Sequence, residues 1–399
     1  MSNPASNELP LSGIRVIEFS HMVMGPATGL VLADLGADVV KVEPIGGDKT
    51  RTLKGSGAGY FAMYNRNKRS IRLDLKSEQG AKIARELVAD ADVLIENFRP
   101  GAMNKLGFDY ASLSEENPKL IYCSNRGFLT GPYEHRTALD EVAQMMGGLA
   151  YMTGPPGKPL RAGASVIDVT GGMFGAIGVL AALQERHRTG KGQAVKSSLF
   201  ESTIFLVGQH MAQYAVTGTP AAPMPARISA WAIYDVFETG DDEKVFVGVV
   251  SDSQWITFCE DFGFDELLAE EHLRANNNRV QERERIIPVV QQRFREMTRD
   301  ELMQKLENSG LPFAPITKPE MMFDDPHLLE SGGLLDITLP DGENTRLPAL
   351  PMELGGGRLA ARRSPPKSGE HTREVLGELG YSAEKIDALI ESNAASTDS

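Results

Sequence analysis

Cysteine is almost missing from this chain: Cys123 and Cys259 are the only two in 399 residues. Two thiols, one in each presumptive domain, supply neither a disulfide framework nor a metal-ligand cluster, so both read as buried and reduced and no metal is expected. Positive charge is also short. Lys and Arg number 41 against 54 Asp and Glu, a formal net charge of −13. Nonspecific attraction to nucleic acid or to anionic lipid needs a field of the opposite sign, which excludes both as partners. A phosphate-bearing ligand would need a local basic pocket. No apolar run approaches the roughly 18 residues that span a membrane. The polar start, Met1–Pro10, lacks the basic and apolar segments of a secretory leader. The chain therefore reads as cytoplasmic, with no membrane partner.

A hydrophobic content of 41% in a chain of this length supplies two cores. In the first 200 residues or so, short apolar runs (Ile14–Phe19, Val39–Glu43, Asp92–Asn97, Leu120–Asn125) alternate with helix-periodic stretches (Gly25–Leu35, Glu78–Ala91). That is an α/β layout, and such crossovers favour a parallel sheet. Pro26 suits a first helical turn. A glycine- and alanine-rich helix is expected over Val169–Arg188, then a strand over Gln193–Leu199 and an apolar helix over Phe200–Val216. Thr217–Pro225 is rich in Pro, Ala and Gly and reads as a linker. Beyond it, Trp231–Glu238 and Lys244–Val250 form a hairpin pattern, followed by the charged helical stretch Gln281–Ser309. This second unit reads as α+β. Past about residue 320, Pro and Gly recur before a final helix, His371–Asn393. No internal repeat is present.

Six stretches, in this order and spacing, resemble the class III CoA-transferases, the family of formyl-CoA transferase, carnitine CoA-transferase and α-methylacyl-CoA racemase. They are Leu11–Phe19, Leu35–Pro44, Asn67–Ser70 with Leu73–Lys76, Glu96–Gly101, Gly163–Asp168 and Gly369–Thr372. The resemblance implies a large Rossmann-like domain built from both chain ends and a small domain between them, with two subunits interlocked as a homodimer. On that basis residues 1–205 open the large domain, 206–225 form a linker, 226–320 the small domain, and 321–399 return to the large one.

The resemblance makes Asp168 the nucleophile of an acyl-CoA:carboxylate CoA-transferase that works through an aspartyl-acyl anhydride and an aspartyl-CoA thioester. Taken alone, an aspartate before a helix is a plain N-cap. Its expected place, just ahead of a helix starting near Val169, would stabilise a carboxylate. CoA enters as a substrate, with no tightly bound cofactor. Residue by residue, the family's CoA contacts fall on His21, Val23, Met24, Leu73, Asp74, Leu75, Lys76, Asn97, Phe98, Arg99 and Lys105. Lys76, Arg99 and Lys105 would meet phosphates, although solvated Lys and Arg are common for no such reason.

Pro44 and Thr137 replace two basic family contacts; Arg136 lies beside the second. An acid near the reaction centre is kept as Asp140, and the resemblance counts it, with Arg136, among the CoA-binding residues. The shielding glycine-rich loop of formyl-CoA transferase matches Ala226–Ile233, which has no glycine. Arg227 suits the remote carboxylate of a dicarboxylate acceptor, or anchors a linker. His21 reads as a CoA contact or a cap, and His371 as structural. The Ala226–Phe237 stretch points to succinyl-CoA as donor, with a small diacid or sulfinic acid as acceptor. Two alternatives stand beside this reading. A racemase needs two proton carriers, yet Leu139 occupies the racemase histidine position. A noncatalytic nucleotide-binding protein fits the α/β start, yet no G-x-G-x-x-G follows the first strand.

Overall fold

The computed structural model describes residues 9–227 and 229–397; Met1–Glu8, part of the segment read for a leader, lie outside the described residues. The described chain up to Pro225 and from Pro326 onward forms one compact unit, and Ala226–Asp325 forms another.

The larger unit is built on a sheet of seven strands. Six are parallel: β1 Arg15–Phe19, β2 Asp38–Glu43, β3 Lys68–Leu73, β4 Val93–Glu96, β5 Ile121–Arg126 and β6 Ala194–Ser198. They run in the order β3-β2-β1-β4-β5-β6, and Ala395–Ser396 closes the β3 edge antiparallel. Strands β1, β2 and β4 are buried on both faces because helices cover both, as in parallel sheets generally, and they carry the buried charges Glu18, Lys41, Glu43 and Glu96 among their apolar residues. One core packs Ile17, Phe19, Ile71 and Leu94 against the Glu78–Ala89 helix and the C-terminal helices. The other packs Val16, Val39, Ile95 and Cys123 against Met24–Asp34 and Val166–Thr189.

Several expectations shift. The glycine-rich helix starts at Val166, three residues early, so Asp168 lies inside its first turn rather than ahead of it. By length and hydropathy that helix could span a membrane, contrary to the reading that no segment could. In the fold it is the β5–β6 crossover, and Gly171, Gly172 and Gly175 let it lie close against Met24, Ala27 and Thr28. Residues 206–217, assigned to a linker, continue the helix Leu199–Thr217, which Ser198 caps at Glu201 N–H and Gly218 ends at positive φ. The final helix is two, Thr372–Glu378 and Ala383–Glu391, separated by a turn at Gly380.

The smaller unit is a sheet of three antiparallel strands, β7 Tyr234–Glu238, β8 Lys244–Gly248 and β9 Phe313–Pro315, with β8 central. Helices Asp252–Phe262, Arg283–Phe294 and Arg299–Ser309 cover it through Trp255, Phe258, Phe294 and Leu302. The long charged stretch breaks at Thr298, which forms a reciprocal capping box with Glu301.

The returning chain is fastened to the large sheet by buried polar groups. Asp34 accepts two bonds from the fully buried Arg66 guanidinium, at 3.1 and 2.6 Å, and one from Asn67 Nδ2 at 2.8 Å. Arg66 also donates to Pro348 O at 3.0 Å, and Asn67 Oδ1 accepts the N–H groups of Arg362 and Arg363 at 2.6 and 2.8 Å. Asp34→Ala strands a buried guanidinium, a cost of about 3–5 kcal/mol. Urea denaturation will read it as a lower midpoint; an unchanged midpoint would show that this ion pair does not hold the return segment.

Candidate active site

In a parallel sheet the strand order reverses between β1 and β4, so the chain leaves their carboxyl ends in opposite directions and a crevice opens. The two loops that flank it are tied together. His21 N–H donates to Asn97 Oδ1 at 3.0 Å, Asn97 Nδ2 donates back to His21 O at 2.8 Å, and the His21 and Phe98 rings stack with centroids 5.7 Å apart. Met22, between them, is held at φ 63° with its N–H bonded to Thr50 Oγ1.

Two cavities meet at His21, Met22 and Phe98. One, of about 330 Å³, holds Asp168, Asp140, Tyr60, Arg99, Arg136 and Leu199. The other, of about 800 Å³, is lined by Leu73–Lys76, Pro44–Gly46, Lys49 and Asn393. The structure thus gathers nearly every residue read from the sequence. His21 and Phe98 face both spaces; Met24, Asn97, Arg99, Arg136 and Asp140 face the smaller; Leu73, Asp74, Leu75 and Lys76 face the larger. Three stand apart. Val23 is buried and Lys105 exposed, and neither lines a cavity; Arg227 belongs to the smaller unit.

Asp168 is the one carboxyl here with a strongly displaced affinity for protons. Burial is the main cause, the Asp140 carboxylate adds to it and Arg161 opposes it; the result is pushed up to about 7. Two of the first N–H groups of the helix are taken by Asp140: its Oδ2 accepts Ile167 N–H at 2.8 Å and Asp168 N–H at 3.1 Å. Loss of water around the His21 imidazole lowers its proton affinity, against a smaller opposing pull from Asp48.

Lys49, Tyr60 and Arg161 also line the cavities and were not among the residues read from the sequence. Tyr60 Oη lies 3.2 Å from Ser165 Oγ, and Arg161 joins Glu141 to the Ala162 and Ala164 carbonyls. Only the basic character of Lys49 near a strand end could have drawn attention to it.

Chemically, the arrangement offers a half-buried carboxyl in one cavity, cations at both, and a shared wall at His21, Met22 and Phe98. A long ligand with an acyl end and a phosphate end fits that shape. Comparison with known proteins agrees. Residues 11–372 match the model of CoA-transferase family III. A succinate–glutarate CoA-transferase from Agrobacterium fabrum is 35% identical, covering 95% of this chain and 98% of that one. The succinyl-CoA:glutarate CoA-transferase of Mus musculus is 32% identical over 96% of this chain and 89% of its own length. A crystal structure of a CAIB/BAIF family protein from Brucella suis superposes with a TM-score of 0.82 at 34% identity, covering 93% of this chain and all of that one. The chain belongs to family III of the CoA-transferases.

Proposed function

We propose that the protein exchanges CoA between a succinyl donor and a small diacid or sulfinic acid, with Asp168 as the covalent carrier. The observation that carries this reading is the Asp168 carboxyl in the small cavity, one ring stack away from a space large enough for the nucleotide end of CoA. In the first step the Asp168 carboxylate attacks the thioester carbonyl, the C–S bond breaks, and CoA leaves as thiolate with an aspartyl-acyl anhydride behind it. The thiolate then attacks the Asp168 side of the anhydride, which releases the donor acid and leaves an aspartyl-CoA thioester. The acceptor carboxylate repeats the two steps in reverse, so no proton or electron is gained or lost over the cycle.

Lys76 with Lys49 at the large cavity, and Arg99 with Arg136 at the small one, supply the cations that an otherwise acidic protein needs for phosphates and carboxylates. Lys105, exposed and outside both linings, is left out of this set. The diacid preference draws support from the glutarate named for two relatives. Arg227 remains a proposed acceptor contact. A cytoplasmic homodimer without membrane or nucleic-acid partners completes the reading. The homodimer draws support from the exposed apolar side chains Phe205, Met211 and Tyr214 on the Leu199–Thr217 helix and Tyr151 on a neighbouring helical turn.

Incubation with succinyl-CoA and hydroxylamine is expected to leave a hydroxamate on Asp168, found by peptide mapping; modification of a different carboxyl would sink the mechanism. Racemisation would require breaking the α-C–H bond, and Leu139, which lines the small cavity, carries no proton. A 2-methylacyl-CoA in heavy water should therefore take up no deuterium while CoA passes to added carboxylate. Rapid uptake without transfer would establish the racemase instead.

The raised Asp168 affinity also fixes two pH dependences. Single-turnover acylation should rise with pH through about 7, because only the carboxylate attacks. For stability, the folded-state value lies above the unfolded carboxyl's ordinary value of about 4. The ionised form is thus a burden on the fold that develops between pH 4 and 7, roughly, and is complete above that. Asp168→Asn should melt higher than the wild type at pH 8, with the gap closing toward pH 4. A constant gap across that range would refute the assignment.

A further inference from the structure

Asp140 was read from the sequence as part of the CoA-binding set and lines the small cavity, but its hydrogen bonds run to the protein's own groups. It is buried, and its two oxygens are committed. Oδ2 accepts both Ile167 and Asp168 N–H, and Oδ1 accepts Gln144 Nε2 at 2.5 Å with Arg161 Nη2 at 3.6 Å. The residue formally at the cap of the 24-residue helix, Ser165, makes no side-chain capping bond; its hydroxyl is paired with Tyr60. The first N–H groups of a helix need partners from outside it. Here a carboxylate 28 residues upstream in the chain provides them.

The same short helix, Asp140–Met146, grips the segment that leads into the nucleophile. Gln144 Oε1 accepts Ala162 N–H at 2.9 Å. Glu141 holds the Arg161 guanidinium at 2.6 Å, and Arg161 donates to the carbonyls of Ala162 and Ala164, both at 3.0 Å. Asp140, Glu141 and Gln144 therefore act on both sides of Ser165 and define how the chain enters the turn that carries Asp168.

We propose that Asp140 is a positioning residue: it caps the helix of the nucleophile from outside, fixes the direction in which the Asp168 carboxyl projects, and touches neither CoA nor acceptor. The proposal rests on the reading of Asp168 as nucleophile. It carries a corollary for the reaction. The Ile167 and Asp168 amides, the nearest helix-end donors, are occupied, so the oxyanions of the exchange are stabilised by other groups of the cavity.

The charges facing Asp168 set what a substitution does. Asp140 disfavours its ionisation and Arg161 favours it; Tyr64, on the Tyr60–Tyr64 helix, holds its own proton more tightly mainly through burial and secondly through the charge of Asp168. His21, Arg99 and Arg136 line the rest of the cavity. Asp140→Asn keeps a carbonyl oxygen for the two N–H groups but removes the charge and replaces the acceptor of Gln144 Nε2 with an N–H donor; Asp140→Ala removes every one of these bonds.

The test is the pH profile of single-turnover acylation together with kcat and KM for succinyl-CoA. Asp140→Asn should keep KM within about twofold and move the acid limb down by roughly one unit, the size of a neighbouring like charge. Asp140→Ala should lower kcat on the order of tenfold to a hundredfold with KM again little changed, as expected of a misaligned nucleophile. An Asn variant whose acid limb stays at the wild-type pH, or one whose KM for succinyl-CoA rises while kcat holds, overturns the proposal; the second result would make Asp140 a CoA ligand. The Asn variant decides the matter even where the Ala variant does not fold. Failure of the transferase reading itself looks different, since the wild type would then move no CoA at all.

Discussion

The geometry of both cavities depends on a charge network sealed inside the large sheet. Lys41, fully buried on β2, donates to Ser20 O at 2.6 Å and pairs with Glu18 at 3.4 Å and Asp48 at 3.0 Å. Lys68 on β3 reaches the other oxygen of Glu18 at 2.8 Å and also Pro26 O and Asn65 Oδ1. The two lysines share one glutamate yet shift in opposite directions. Burial disfavours both as cations. Lys41 has three carboxylates around it and ends above its ordinary value, whereas Lys68 leans mainly on Glu18 and falls to about 8. Removing a single member leaves an uncompensated charge in a low-dielectric interior, so the group stands or falls as a unit.

From this network the site is assembled outward. Ser20 O, fixed by Lys41, begins the loop that carries His21 and Met22. Asp48, fixed by the same lysine, bonds Thr50, which in turn holds Met22 N–H and its positive φ. The wall shared by the two cavities is thus anchored from below at both of its ends. The helix after β1 can approach only because residue 29 is glycine: a Cβ there would overlap Glu18 Oε2. Two residues along β2 from Lys41, on the same face, Glu43 extends the network to Arg51, Ser70 and Ser368, which draws the C-terminal return segment into the same arrangement.

This explains what could be read from sequence and what could not. Strands β1, β2, β4 and β5 advertise themselves as apolar runs. β3, with the sequence Lys-Arg-Ser-Ile-Arg-Leu, does not, because its buried face is charged and its partners lie tens of residues away. The motif around Asp168 was legible through likeness to a family, and most of the residues read in that way line the cavities. What Asp140 does was not. Capping between a side chain and the amides of a helix 26 residues on is a tertiary fact with no local pattern, and the sequence reading gave the helix end to Asp168 instead. Lys49 and Tyr60 were missed for the same reason, since short 3₁₀ and helical turns bring them to the cavity.

The proposed role of Asp168 accounts for a carboxyl that shares its helix end with another acid, Asp140, bonded to two of the first amides. A carboxylate bonded to those amides would be well stabilised and correspondingly reluctant to attack. With Asp140 on the amides and Met24 and Leu199 among the cavity walls, the free Asp168 anion is instead the costly state of the site. In the proposed exchange every covalent form of Asp168, anhydride or thioester, is neutral at that carboxyl. Acylation therefore removes the charge that burial and Asp140 oppose, and it returns only when product leaves. The penalty on the resting enzyme and the accessibility of the covalent intermediates are two expressions of one local environment, set by the residue that holds the helix end.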